Sequence, residues 1–267
     1  HEPIVSPTAY GTDRLFVYLR LKNDLNRPLD HQVAKLARQG HPVLTYTLKD
    51  RYDLATEFFR WEVATAVAGH LLGIHPFDQP NVQESKDNTA RVLKTIESTG
   101  KLPKQVTVTP AKAAVQLKRQ CRPGVYVAIL AYTTPSLKME QAIRSLRRML
   151  VSRYHVTTTA GYGPRYLHST GQLHKGGPSS GVFLQLMDQM SPDMVIPGAA
   201  VTFGTLARAQ AAGDIQALHA HDRQAIVLPL GKNPIATIQA LTKSLAPHAP
   251  IGRSSTTRTG TGRARKN

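Results

Sequence analysis

The sequence predicts an α/β fold: a three-layer αβα sandwich with a mostly parallel sheet, built as two consecutive α/β units. Two observations carry this. Several short runs, such as RLFVYLRL at 14–21 and GVYVAILAY at 124–132, are apolar almost throughout instead of alternating, the pattern of strands covered on both faces. Between these runs lie longer amphipathic stretches opened by Pro, Asp or Ser and closed by Gly, so strand and helix alternate, and alternation of this kind implies parallel strands joined by helical crossovers.

The elements follow in order. Residues 1–12 are turn-like, with Pro3, Pro7 and Gly11, and 14–21 is a buried strand. Pro28 and Asp30 open a helix to about Arg38, closed by Gly40; His41-Pro42 leads into a strand at 43–48. Asp53 is placed as the N-cap of a helix at 54–72, which Gly73 stops. A loop with Pro76 and Pro80 precedes a helix at 82–96, and 98–109 reads as a linker. Pro110 starts a helix to about Gln120. A strand at 124–132, a long helix from Pro135 to about Tyr154 and a Thr-rich strand at 156–160 come next. The glycine-rich stretch 161–181 has little periodicity and reads as a loop. A strand at 182–187, two helices at 202–211 and 214–221, a strand at 225–230 and a helix from Pro234 to about Leu245 complete the pattern. The resulting division is 1–97, a linker at 98–109, 110–247, and a basic, disordered tail at 248–267. Residues 14–60 and 182–243 share an order of strand, helix, strand, helix, the mark of a possible duplication.

Composition narrows the function classes. A chain of 267 residues with 41% apolar residues can build a sizeable core. One cysteine, Cys121, allows neither an intrachain disulfide nor a thiolate zinc cage, in keeping with a cytoplasmic protein. No apolar run is long enough to span a membrane. The chain starts at His1 and holds no Met before Met139, which reads as a fragment boundary. A formal net charge of +17 favours anionic partners, nucleic acid or a phosphorylated metabolite. Part of that charge lies in the tail, and neither a Cys/His finger nor an RNA-binding aromatic strand accompanies it, so nucleic acid is the weaker of the two.

Two segments carry chemistry. In GIHPFDQPNVQESK, 73–86, a proline-stiffened loop enters a helix near Asn81, and Lys86 sits about one turn in, able to reach a ligand over the loop; the plain alternative is a capped helix with a solvated lysine. In GYGPRYLHSTGQLHKGG, 161–177, glycines, two histidines, two basic residues and hydroxyls suit an anionic sugar; the plain alternative is a surface loop. His168 and His174 lack the i, i+4 spacing of a helical zinc pair, so no metal is expected. His168, with an imidazole that titrates near neutrality, is the general acid/base candidate.

The first segment resembles the Asn-Pro-Phe-Asp-Gln-Pro…Val-Glu…Lys signature of glucose-6-phosphate isomerases, with His75 at the Asn position, and the preceding FFRWEVATAVAGHLLG is similar to that family too. LHSTGQ resembles the family's Leu-His-Ser-x-Gly-Gln, and the longer GPRYLHSTGQLHKGGP, with the following VFLQL and TFGTLARAQAAGD, resembles the C-terminal part of transaldolase–isomerase fusions. The resemblance spans roughly residues 10–245 and implies sugar-isomerase (SIS-like) units, no cofactor, a phosphorylated hexose substrate and a homodimer. It implies that Lys86 acts at the ring oxygen and C1 hydroxyl and that His168 assists ring opening, with Gln79, Ser169 and Gln172 on sugar hydroxyls and Arg165 and Lys175 drawing the phosphate. Two departures stand out. The family places LHSxGQ before FDQP…Lys, whereas here it follows, as a partly duplicated isomerase domain would arrange it. The family's base, a Glu in a Glu-Ser-x-Gly-Lys segment, has no counterpart in this sequence; family order would put it upstream of His1, so the chain by itself is expected not to isomerise. A sugar-phosphate-binding module without catalysis is the alternative, and a basic nucleic-acid-binding protein a minor one.

Overall fold

A computed structural model describes residues 2–246; the basic tail expected at 248–267 lies outside the described residues. The main sheet has four parallel strands in the order β4-β3-β5-β6: β3 (Tyr126–Tyr132), β4 (Thr157–Tyr162), β5 (Gly181–Met187) and β6 (Gln224–Pro229). The side chains of β3 show why it is buried on both faces. Val127, Ile129 and Ala131 join one core with Ala113 and Leu117 of α4 (Pro110–Gln120), Leu146 and Leu150 of α5 (Leu137–Tyr154), and Ile238 and Leu241 of α8 (Pro234–Leu245). Ala128, Leu130 and Tyr132 point the other way and meet Ala211, Ile215 and Leu218 of α7 (Phe203–Ala220). This is the period-2 geometry of a strand between two helical layers, and it makes the sandwich.

The N-terminal part is a second parallel pair, β1 (Phe16–Leu21) and β2 (Val43–Leu48), joined by α1 (Arg27–Arg38). It leans on the main body where Tyr10 and Leu36 pack on Val151 of α5, and where Glu2 accepts from the Thr158 amide and hydroxyl. The sequence predicts β1 as buried; instead Val17 and Leu19 are exposed, because among the described residues this pair has a covered face on one side only. α2 (Leu54–Leu72) likewise shows Phe58, Phe59, Trp61 and Val67 to solvent. Asp53 does sit at its N-cap, but its carboxylate accepts from the Lys49 amide, while Asp50 takes the amides of Tyr52 and Asp53 one step earlier.

Two further differences from the sequence reading matter for the site. The helices expected at 202–211 and 214–221 are one helix, α7, running through Gly213. Glycine is there for contact and not for a break: a Cβ at 213 would stand 2.8 Å from the amide nitrogen of Thr89 on α3 (Pro80–Thr99). α3 therefore lies close along α7, with Val92 against Ala209 and Ala212 and Asn88 donating to the Gly213 carbonyl. The stretch 161–181 is not a plain loop either: it winds into a 3-10 turn, Arg165–His168, and a short helix α6, Gly171–Gly176. Arg223 pins its end by donating to the carbonyls of Lys175 and Gly177 and to Ser179. The end of the linker adds to the sheet, Thr107 bridging Val227 in parallel. None of the described helices is long and apolar enough to cross a membrane.

Candidate functional site

The two sequence segments meet. Gln172 of α6 accepts from the Asn81 backbone amide at 3.1 Å and donates to the Asn81 side-chain oxygen at 2.7 Å, fastening the first turn of α3 to the glycine-rich stretch. One polar side chain thus closes a gap of 91 residues in the sequence. The opposite edge of that turn is held by His221, just past α7, whose Nε2 lies 2.7 Å from Glu84 and 3.0 Å from the Asn81 side-chain nitrogen. Burial pushes the Glu84 carboxyl up, but the hydrogen bonds from His221 and Asn81 and the nearby positive groups outweigh it and hold it below the usual range.

Helical periodicity then sorts the residues of α3. Asn81, Glu84, Asn88 and Val92 turn toward α6 and α7, while Val82, Ser85, Lys86, Thr89 and Leu93 line a cleft of about 270 Å³. Pro164, Leu167 and His168 from the stretch after β4 and Gln210 of α7 line it as well. Lys86 and His168 are both exposed, and neither side chain has a hydrogen bond or ion pair to another described residue. An ammonium and an imidazole thus face one cleft, lined by Ser, Thr and Gln as well as apolar groups. Gln210 and Pro164 also border a larger apolar hollow of about 490 Å³, at the carboxyl ends of β3 and β5, where the strand order reverses.

The remaining candidates lie elsewhere. Lys175, expected to draw a phosphate, is inside the protein: its Nζ is 2.6 Å from Asp214 Oδ1, and both side chains are 1% exposed. A lysine in so tight a buried pair has no surface charge to offer. Asp214 Oδ2 accepts from the Tyr166 hydroxyl, which in turn neighbours the Tyr132 hydroxyl; burial holds both phenols well above their ordinary range. Gln172 spends its amide on Asn81 and not on the cleft. Ser169 donates to the Tyr166 carbonyl, Arg165 lies over the Tyr162 ring, and Gln79 is the exposed N-cap of α3; none of the three lines the Lys86–His168 cleft. His174 is buried against Tyr126 and Phe183, with burial and then the Lys175 charge lowering it to about 4.

Sequence reasoning missed Glu84–His221, because 137 residues separate the partners, and it missed Ser85. The Ser85 residue is 3% exposed, lines the cleft, and its hydroxyl has no hydrogen-bond partner.

No family model matches the chain. Part of it is similar to glucose-6-phosphate isomerases. The relative from Pediococcus pentosaceus is 41% identical over 56 residues, 20% of this chain and 12% of that protein. Those from Limosilactobacillus fermentum and Lactobacillus helveticus are 38% identical over 63 residues and 39% over 56. The matched stretch thus spans 12% to 14% of these relatives' length. Among solved structures, a hypothetical protein of Thermus thermophilus aligns with 86% of this chain and 56% of its own, at 17% identity and a TM-score of 0.41.

Proposed function

We propose that this chain supplies the ring-opening part of a glucose-6-phosphate isomerase site, interconverting glucose 6-phosphate and fructose 6-phosphate as part of a larger, transaldolase-fused enzyme. The observation that carries the reading is the single cleft lined by both Lys86 and His168 despite their reversed order in the chain. The local similarity to glucose-6-phosphate isomerases supports the substrate class, and the fusion rests on the GPRYLHSTGQLHKGGP resemblance.

In this scheme the imidazole of His168 moves a proton between the C1 hydroxyl and the ring oxygen. The C1–O5 bond breaks as O5 gains a proton and C1 becomes the carbonyl carbon. Lys86 stands by the oxygen where negative charge builds, and a fixed cation there lowers the barrier. A positioned acid or base contributes on the order of 10²–10⁴ in rate. The second stage moves a proton from C2 to C1 through a cis-enediolate and needs a carboxylate base; no Asp or Glu is among the described residues lining this cleft. That same observation favours the second reading, a sugar-phosphate-binding module without turnover.

Calorimetric titration of the chain with fructose 6-phosphate, beside an isomerase assay, tests the proposal. Binding that weakens tenfold or more in both Lys86→Ala and His168→Ala, the loss expected for a charge-assisted contact, supports it; equal binding by all three proteins refutes it. Turnover by the 267-residue chain would show that the base lies within it; none is expected.

A further inference from the structure

The helical layer away from the cleft carries charge of almost one sign. We infer that the furrow between α5 and α8, together with the basic segment that follows Ala246, binds a single-stranded nucleic acid by its phosphodiester backbone. This is a second binding function, independent of the sugar-phosphate reading.

Helices α4, α5 and α8 cover one face of the main sheet, and α8 packs on both of the others. Together they hold nine Lys and Arg residues against a single acid, Glu140. On the opposite layer, α3 and α7 hold four of each sign. Elsewhere in the chain cations find acids: Arg20 pairs with Asp30, Arg60 with Glu57 and Lys175 with Asp214. Lys118, Arg119, Lys138, Arg144, Arg153 and Lys243 are all exposed, and none of these side chains has a hydrogen bond or ion pair to another described residue. Helix stabilisation accounts for only some of them. A cation suits a last turn, as at Lys118, Arg119, Arg153 and Lys243, but Lys112 and Lys138 stand in first turns, where the helix dipole opposes positive charge. A one-signed field of this kind draws anions.

The face is also grooved. Between α5 and α8 lies a furrow of about 570 Å³, lined by Lys138 and Lys243 and by the neutral groups of Gln141, Ser145, Gln239 and Thr242. Gln141, Ser145 and Gln239 are exposed, and their side chains make no hydrogen bond to another described residue, so a ligand in the furrow can reach them. Cations, amides and hydroxyls are the groups that contact phosphate and sugar oxygens in nucleic-acid complexes. No acid and no aromatic is among the described residues lining the furrow. Nothing there repels a phosphate, and bases have no platform to stack on, so binding follows the backbone and not the sequence. Helices in contact lie about 8–10 Å apart, and a furrow between them admits one strand but neither a duplex nor a flat bilayer. Ala246 lines the same furrow, and residues 247–267 beyond it add Arg253, Arg258, Arg263, Arg265 and Lys266 with no acid. That extra positive charge is thus tethered at the furrow itself.

The test is fluorescence anisotropy of labelled oligo(dT) and oligo(U) with the full chain across a salt series. Binding should weaken steeply with salt, and alike for the two strands. Lys138→Gln with Lys243→Gln should make the logarithmic salt slope shallower by about 1.4 and lower affinity roughly tenfold or more near 0.1 M salt, as two lost phosphate contacts require. Removal of residues 247–267 should flatten the slope further. Lys35→Gln with Lys94→Gln removes equal charge from exposed positions on α1 and α3 and should leave affinity within about twofold. Equal losses in the two double variants would show that net charge alone acts and overturn the inference. So would loss on removing 247–267 with the furrow variant at full affinity, tighter retention by phosphatidylserine vesicles than by either strand, or no binding near 0.05 M salt.

Discussion

Replacing Lys175 by methionine should cost the protein much of its stability. The ammonium lies 2.6 Å from Asp214 Oδ1 with both side chains 1% exposed, and the other Asp214 oxygen accepts from Tyr166, itself buried. Methionine keeps the length of the stem but removes the charge, leaving a carboxylate inside the protein with one phenol for company. Breaking a buried pair on one side costs about 3–5 kcal/mol, because the surviving charge is uncompensated. For a domain of this size 1 kcal/mol corresponds to roughly 2–4 °C in melting temperature, so the variant should melt about 6–20 °C lower by scanning calorimetry, with a matching fall in the urea midpoint. Lys175→Met combined with Asp214→Leu should recover most of the loss, since paired apolar replacements of buried ion pairs are often close to neutral. A single variant that melts within about 2 °C of the unmodified protein, yet binds sugar phosphate more weakly, would refute this reasoning and return Lys175 to the ligand. A double variant no better than the single one would show that the charge balance is not what the pair supplies.

Two further outcomes follow from the same geometry. His174 is lowered to about 4 by burial, while an unfolded chain has it near 6.5. Between those values the unfolded state binds the extra proton, so stability should be level above about pH 6.5 and fall as pH drops toward 4, by on the order of 3 kcal/mol in all; Tyr126, Phe183 and Tyr166 pack around the ring and Lys175 adjoins it. Urea unfolding of His174→Phe at about pH 4.5 and 7.5 should show that slope much reduced, and an unchanged slope would assign it to other groups. Gly213→Ala should destabilise by about 1–3 kcal/mol although alanine is the better helix former, since its Cβ would stand 2.8 Å from the Thr89 backbone; an equal or higher melting temperature would mean that α3 shifts freely from α7.

Much of the fold was legible because local chemistry and burial agree. Val43–Leu48, Leu54–Leu72, Pro110–Gln120 and Pro234–Leu245 appear with the bounds their proline, glycine and apolar patterns predict. Where they diverged, a partner distant in sequence had intervened. Gly213 reads as a helix break until Thr89 is seen pressed against it. The glycines of 161–181 suggest a loop, but Arg223 and Asn81 supply hydrogen bonds that order it from outside. Lys175 sits in a basic, glycine-rich string and reads as exposed; its burial depends on Asp214, which nothing local announces. Lys86 and His168 were readable as chemistry from their motifs, whereas their common cleft depends on the packing of α3 along α7 and on the Gln172–Asn81 bonds.

The claim on which the functional account stands is that Lys86 and His168 address one ligand. Nuclear magnetic resonance of the His168 ring during titration with fructose 6-phosphate tests it most directly, with the Lys86→Ala variant alongside. The account predicts that the ring resonances move to saturation in the unmodified chain and stay still over the same range in Lys86→Ala. A His168 ring that ignores the sugar while Lys86 still governs its binding would contradict it.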